Sequence, residues 1–199
     1  MEYFAFITGL LYLILEIRQN SIMWVVGGIS AIAYIIVFAE NSLFAAMGLQ
    51  VYYAAVSLYG FYRWRKDKRL ARRREEETGD ETRNGDEIVY RHIGVRDLLL
   101  SMLLFAAVFA SLLTFLRNMT GDPMPLADAL ATALSIVATW WLSRSYICQW
   151  LVWVCVDILS AWLFFSQELY LTSVLYLIYT VCAIYGFYHW RKSGVLIKK

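Results

Sequence analysis

The sequence predicts an all-α polytopic membrane protein with seven transmembrane helices. Hydrophobic residues make up 60% of the 199 residues and charged residues only 17%, whereas about a quarter of a soluble domain is charged. Much of this charge lies between residues 63 and 97. The blocks outside that interval are apolar over roughly the length that spans a bilayer. The pattern of the first three blocks also returns in the last three, which indicates an internal repeat.

Seven helices are predicted, one in each apolar block. They cover about residues 3–17, 21–39, 42–64, 98–116, 125–143, 146–165 and 168–190. The first helix is short for a span unless Glu16 lies at the membrane interface. We therefore expect the lipid bilayer to surround most of the chain.

A charged linker separates the third helix from the fourth. Residues 67–97 contain a basic run followed by an acidic run with glycine, and too few apolar residues to bury a core. We expect a solvated, mobile linker or a frayed extension of the third helix. The basic half is typical of a topology signal beside anionic headgroups. The alternative is a specific lipid or nucleic-acid site, and we expect no nucleic-acid partner.

The distribution of Lys and Arg predicts how the chain is oriented. With the N-terminus outside, the inner side carries 17 of the 18 basic residues, and Arg117 is the exception. The outer connections hold Glu40, Asp122 and Glu168 instead. The positive-inside rule therefore puts the N-terminus outside and the C-terminus in the cytoplasm. This orientation requires an odd number of spans, which agrees with seven.

The internal repeat has a constant offset of 126 residues and no gap. Equivalent positions include Arg18 and Arg144, Trp24 and Trp150, Tyr53 and Tyr179, and the YGFY segments 59–62 and 185–188. Three helices reverse the direction of the chain, so a fourth must return it before the second copy begins. The sequence thus predicts a 3+1+3 arrangement of parallel repeats, an architecture of transporters with the substrate site near the midplane between the repeats.

This arrangement divides the chain into five parts. They are the first three-helix repeat (1–66), the charged cytoplasmic linker (67–97), the connecting helix with its outer loop (98–124), the second repeat (125–192) and a cytoplasmic tail (193–199).

The sequence contains no pattern for catalysis, cofactor binding or metal binding. His92 lies in the linker and His189 beside the inner interface, and there is no catalytic serine, zinc or phosphate-loop motif. The three cysteines lie in apolar segments without a CxxC or Cys/His cluster. We therefore expect a protein that is not an enzyme and has neither a metal nor a cofactor.

Polar and aromatic side chains inside the predicted helices form the candidate binding site, since such groups in lipid usually face a bundle interior or cavity. Asp157 is a carboxylate well inside a predicted span, with Gln149 and Trp153 on the same helix face. Aromatic faces beside an aspartate suit a small, flat, cationic ligand. The candidate substrate-binding residues are Gln50, Tyr53, Trp140, Gln149, Trp150, Trp153, Asp157, Tyr176 and Tyr179.

A second set of residues is predicted to be architectural. Trp64 and Trp190 each precede Arg-Lys, which is typical of anchors at the membrane interface. The Tyr-Gly steps of the YGFY segments are expected to allow close helix packing. This structural motif consists of Tyr59, Gly60, Trp64, Tyr185, Gly186 and Trp190.

Three stretches together have a recognisable pattern. The first is Q-x-x-Y-x5-Y-G-x3-W, formed here by Gln50, Tyr53, Tyr59, Gly60 and Trp64, and the others are TWWLSRSYICQWLVWVCVD and ELYLTSVLYLIY. They resemble the PnuC family of vitamin transporters, over essentially the whole chain except the linker. The resemblance implies a 3+1+3 fold related to full-length SWEET carriers. It also implies uptake of nicotinamide riboside across the bacterial inner membrane by facilitated diffusion, with a cytoplasmic kinase trapping the product.

The residues leave the substrate open. The family has branches for nicotinamide riboside, thiamine and riboflavin, and its nicotinamide riboside members tend to have Asn before the sixth-helix Trp. This chain has Gln149 before Trp150, which favours the PnuT-type thiamine branch as the first alternative. From other classes, a substrate-binding membrane subunit of an energy-coupled vitamin importer and a membrane scaffold or sensor also stay open, as does a homo-oligomeric state.

Overall fold

The computed structural model describes residues 2–40, 44–78, 88–119, 121 and 123–197. Its helices are α1 (Glu2–Ile17), α2 (Ile22–Glu40), α3 (Phe44–Thr78), α4 (Val95–Met119), α5 (Pro125–Ser143), α6 (Gln149–Ser166) and α7 (Tyr170–Ser193). The number and order of these helices confirm the helical prediction. Two strands of two residues each, β1 (Val89–Tyr90) and β2 (Val195–Leu196), were not predicted.

Four of the described helices, α4 to α7, are long and apolar enough to cross a membrane, and α2 contains a shorter apolar stretch, Ile22–Ile36. Large apolar side chains on these helices point outward: Leu103 is 69% exposed and Val181 is 67% exposed. Apolar surface on this scale is stable when lipid covers it. The chain is therefore a multi-pass membrane protein.

The third helix is longer than hydropathy alone predicts, because it continues to Thr78 rather than ending near residue 64. The Arg, Lys, Leu, Ala and Glu residues that follow Trp64 are good helix formers. An ion pair of 3.6 Å between Arg63 and Asp67, one turn apart, adds to this. Hydropathy marks the end of the apolar segment, whereas the helix propensity of the following residues allows the helix to continue. This agrees with the alternative prediction of an extension of the third helix.

The described end of the linker is ordered by pairing with the C-terminal tail. Strands β1 and β2 run parallel, with hydrogen bonds from the Val195 N–H to the Ile88 carbonyl (2.8 Å) and from the Ile197 N–H to the Tyr90 carbonyl (3.0 Å). The side-chain amide of Gln19 both donates to and accepts from the backbone of Val89, at 2.7 Å each. Strand β1 is therefore held on both sides.

The repeat extends to the backbone. Helix ends that differ by 126 residues are Ile17 and Ser143, Glu40 and Ser166, and the helix starts Phe44 and Tyr170. Gln19 and Ser145, also 126 apart, both have the left-handed backbone conformation, with φ of 49° and 57°. These two side chains are joined by a hydrogen bond of 3.1 Å. The equivalence predicted from side-chain identities therefore also holds for turn geometry.

The chain divides into two compact units. The first consists of Met1–Arg91, Ser143–Ser145 and Ser193–Lys199, and the second of His92–Leu142 and Tyr146–Lys192. Each unit has its own packed interior, and each contains one copy of the tryptophan pair of the repeat.

Candidate functional site

In the first unit, the indole of Trp24 on α2 packs directly against the backbone of α3 at Gly60. A Cβ atom on Gly60 would lie 2.5 Å from the Trp24 ring, closer than carbon atoms approach, so only glycine leaves room. The Trp64 ring meets Trp24 edge-on, with centroids 5.2 Å apart at 77°. The exposed fractions of Trp24 and Trp64 are 2% and 1%. We call this arrangement the Trp–Gly–Trp cluster of the first unit.

The second unit contains the same cluster on α6 and α7. A Cβ on Gly186 would lie 2.7 Å from the Trp150 ring. The Trp150 and Trp190 rings are 5.4 Å apart at 89°, and both are fully buried. Trp150, a predicted substrate-binding residue, is therefore enclosed between Gly186 and Trp190.

The interpretation of Trp64 and Trp190 as interfacial anchors is wrong. Both rings are buried in protein, where they contact another tryptophan and not lipid headgroups. The Arg-Lys pair after each tryptophan suggested anchoring. In both copies this pair is exposed, so it lies on a different face of the helix from the buried tryptophan. Gly60 and Gly186 do allow close packing, as expected, whereas Tyr59 is half-buried and Tyr185 exposed.

One face of α6 carries buried polar atoms without partners. Gln149 is fully buried, and within the described part of the chain neither its amide nitrogen nor its oxygen has a hydrogen-bond partner. The indole N–H of Trp153, one turn further, is also buried and unpartnered there. A buried polar group left unsatisfied costs about 1–3 kcal/mol. Such a row is therefore expected where a ligand or water supplies the missing partners.

Asp157 continues this face by another turn and brings it close to α7. It is 4% exposed. It lies within electrostatic range of Tyr176 and Tyr179. Tyr176 stacks on Phe164, with centroids 5.2 Å apart, and meets Tyr179 at 5.5 Å. In the second unit the structure thus brings a buried carboxylate close to aromatic rings, and the assignment of a cationic ligand to this group stays a prediction from the sequence.

The remaining predicted site residues lie in other surroundings. Gln50 and Tyr53 belong to α3 in the first unit, where both are half-buried and Tyr53 lies 5.5 Å from Tyr52. Trp140 is half-buried against the cluster that includes Trp141 and Tyr146. The site role of these three residues stays a prediction from the sequence.

A polar group in the first unit was missed by sequence reasoning. Tyr12 on α1 interacts electrostatically with Glu16, and Glu16 is buried, with 5% of it exposed. The Tyr12 ring lies beside Gly27, where an added Cβ would be 3.5 Å from it and equally close to the Ser57 hydroxyl. The spacing of four residues between Tyr12 and Glu16 in an apolar helix could have indicated this interaction. The sequence prediction instead assigns Glu16 to the membrane interface, because the predicted first span is short.

A second missed feature, within the second unit, joins the start of α4 to the end of α5 and the turn that follows it. The Trp141 indole donates to the Ser101 hydroxyl at 2.8 Å, and the Tyr146 hydroxyl donates to Asp97 at 2.8 Å. The sequence prediction assigns Asp97 to the solvated linker. These hydrogen bonds give Asp97 a structural role at the first turn of α4.

Comparisons with known proteins agree with this structure. Residues 1–192 match the family described as Nicotinamide mononucleotide transporter. The chain is 26% identical to the nicotinamide riboside transporter PnuC of Escherichia coli (strain K12), covering 94% of this chain and 83% of the relative. It is also 26% identical to the riboflavin/roseoflavin transporter RibM of Streptomyces davaonensis, covering 92% and 81%.

A solved structure has the same fold. It is a crystal structure of the vitamin B3 transporter PnuC, with a TM-score of 0.63 and 24% sequence identity, and the match covers 94% of this chain and 79% of that one. This similarity shows that the chain shares the helical fold of that structure.

Proposed function

Because the chain belongs to the nicotinamide mononucleotide transporter family, we propose that it carries a vitamin or vitamin precursor across the bacterial inner membrane, with nicotinamide riboside as the first candidate. The family consists of transporters and not enzymes, in agreement with the absence of catalytic motifs in the sequence. Riboflavin is the second candidate, because a riboflavin/roseoflavin transporter and a nicotinamide riboside transporter are both 26% identical to this chain.

The observation that carries this proposal is the buried polar face of α6. The amide of Gln149 can donate and accept, the indole of Trp153 can donate, and Asp157 can supply a counter-charge. Nicotinamide riboside offers a flat cationic ring, a carboxamide and hydroxyl groups, so it could satisfy all three. Riboflavin has a flat uncharged ring and would leave the carboxylate without a cation, which favours the first candidate.

Within the second unit we propose that five residues contact the ligand: Gln149, Trp153, Asp157, Tyr176 and Tyr179. Trp150 is assigned to packing instead, because its ring is fully buried against Gly186 and Trp190.

For the whole chain we propose the 3+1+3 arrangement of parallel repeats, with the N-terminus outside and the C-terminus in the cytoplasm. Its support is the offset of 126 residues shared by helix ends and by both Trp–Gly–Trp clusters. Transport would be facilitated diffusion, with trapping of the product by a cytoplasmic kinase.

The proposal is tested with purified protein in two assays. Calorimetric titration with nicotinamide riboside, thiamine and riboflavin should give the tightest binding for nicotinamide riboside. In Asp157→Asn this affinity should fall by about 1–3 kcal/mol because the counter-charge is lost, while binding of an uncharged ring changes little. In liposomes, the labelled ligand should equilibrate without ATP or an ion gradient. Uptake that depends strictly on a gradient or a partner ATPase would contradict facilitated diffusion.

A further inference from the structure

The part of α3 that follows its apolar segment has two different faces. Trp64, Asp67 and Ala71 are buried and follow one another at helical spacing. The opposite face is open: Tyr62 is 65% exposed and Leu70 is 42% exposed. Most of the basic residues between Tyr62 and Leu70 are also exposed on this open face, namely Arg65, Lys66 and Arg69.

Asp67 neutralises the basic side chains on the buried face. Its carboxylate accepts two hydrogen bonds of 2.8 Å from the guanidinium of Arg91 and lies 3.6 Å from Arg63. A carboxylate paired twice and almost completely buried is not available to cations on the far side of the helix. The charges of α3 are thus separated into a neutralised face and an open cationic face.

A groove of about 370 Å³ runs along the open face. Its walls carry four basic side chains, Arg65, Lys66, Arg69 and Arg73. Among the described residues none of these four forms an ion pair, and no acidic side chain lines the groove. The guanidinium of Arg65 lies 5.2 Å from the centre of the Phe61 ring, a contact that leaves its N–H groups free to bind an anion.

The groove lies where the apolar segment of α3 gives way to charge. Phe61 and Tyr62 still belong to the apolar segment, and Leu70 adds an exposed apolar side chain between the cations. From Phe61 to Arg73 the helix rises about 18 Å, at 1.5 Å per residue. The groove therefore begins at the depth of the membrane surface and combines apolar contacts with cations, the combination that suits an amphiphilic anion.

We propose that this groove binds the headgroup of an anionic phospholipid. The phosphate oxygens would accept hydrogen bonds from Arg69 and Arg73, while Tyr62 and Leu70 would pack against the glycerol and upper acyl chain. The anion is a lipid rather than a soluble phosphate compound because three of the groove residues are apolar or aromatic and begin within the apolar segment. This binding does not depend on the transport of a vitamin.

The test uses the full chain, purified in a neutral detergent and titrated with phosphatidylglycerol, with bound lipid counted by native mass spectrometry. The double variant Arg69→Gln/Arg73→Gln removes two groove cations. The matched control Lys68→Gln/Arg72→Gln removes the same charge from the same helix, at two residues that interact with other residues and do not line the groove. Thermal unfolding of all three proteins verifies that they are folded.

We expect the groove variant to bind phosphatidylglycerol about tenfold or more weakly, since each cation near an anionic lipid contributes substantially. The control should change affinity by less than about twofold, and added salt should weaken binding of the unmodified protein. Equal loss in both variants, or no loss in either, would overturn the proposal. Competition by inorganic phosphate or glycerol phosphate as strong as that of the lipid would also overturn it, because the site would then be one for soluble anions.

Discussion

At the level of single residues, the described part of α6 distributes three tryptophans to three environments. Trp150 is fully buried in a Trp–Gly–Trp cluster, Trp153 is half-buried, and Trp162 is 51% exposed. Among the described residues, neither the Trp150 nor the Trp153 indole N–H has a hydrogen-bond partner. Spacing alone put Trp150 and Trp153 in one site, because they are three residues apart. The distinction depends on Gly186, on another helix, which provides the space that Trp150 occupies.

These environments allow a prediction with an internal control. In Trp153→Ala, affinity for nicotinamide riboside should fall by about 1–3 kcal/mol, because an aromatic face and a hydrogen-bond donor are both lost. Trp162→Ala removes the same side chain from the outward face of the same helix and should leave affinity unchanged. Calorimetry on both purified variants measures this difference. If the two variants lose affinity equally, the ligand does not bind along the α6 face.

At residue scale, the sequence predicted a group around Asp157, because intramembrane acids and helical spacing can both be read from a sequence, and its role as a binding site stays a prediction. It missed the burial of Glu16 and the hydrogen bond that the Tyr146 hydroxyl donates to Asp97. Both errors have one cause: these acids lie near predicted helix ends, where hydropathy cannot distinguish a solvated side chain from one covered by a neighbouring helix.

At the level of elements, the two Trp–Gly–Trp clusters fix how α2 packs on α3 and how α6 packs on α7. In each cluster the tryptophan of one helix occupies the space that is free beside a glycine of the other helix. A second tryptophan packs edge-on against the first. The sequence indicated close packing at the glycines but not which side chain would fill the space, because that information lies on another helix.

Gly60→Ala and Gly186→Ala should each lower the thermal unfolding midpoint. The added methyl group would lie within 2.8 Å of a buried indole, and overpacking of this kind costs about 1–3 kcal/mol. Gly48→Ala is the matched control, because its Cβ would meet nothing within 4 Å. It should be neutral or stabilising by about 0.5–1 kcal/mol, since alanine favours a helix. Unfolding in detergent at one scan rate compares the variants, and equal midpoints for all three would contradict the packing account.

Helix positions were predictable to within a few residues because long apolar blocks carry a strong signal. The exceptions are the extension of α3 and the β1–β2 pair. A two-residue strand has no periodicity, and its partner lies about a hundred residues away in the chain, so strand pairing at Val89 and Val195 had no sequence signature.

At the level of the whole molecule, the proposed orientation in the membrane rests on the distribution of charge and has a direct test. Asn118 follows the predicted outer end of α4 and Ser193 the predicted inner end of α7, and both are exposed. After replacement of the native cysteines by serine, a membrane-impermeant thiol reagent should label Asn118→Cys in intact cells. Ser193→Cys should react only after permeabilisation. The opposite pattern would show that the positive-inside prediction is inverted.

The pairing of ring and glycine in each Trp–Gly–Trp cluster also has an evolutionary consequence. The tryptophan and the glycine lie on different helices and fill one shared space. A larger side chain at the glycine position is therefore tolerated only when the tryptophan is replaced by a smaller residue. Among relatives, positions 24 and 60 should therefore covary, and so should positions 150 and 186. Both members of each pair lie within one copy of the repeat. A compensating change in side-chain size in one copy therefore requires no change in the other.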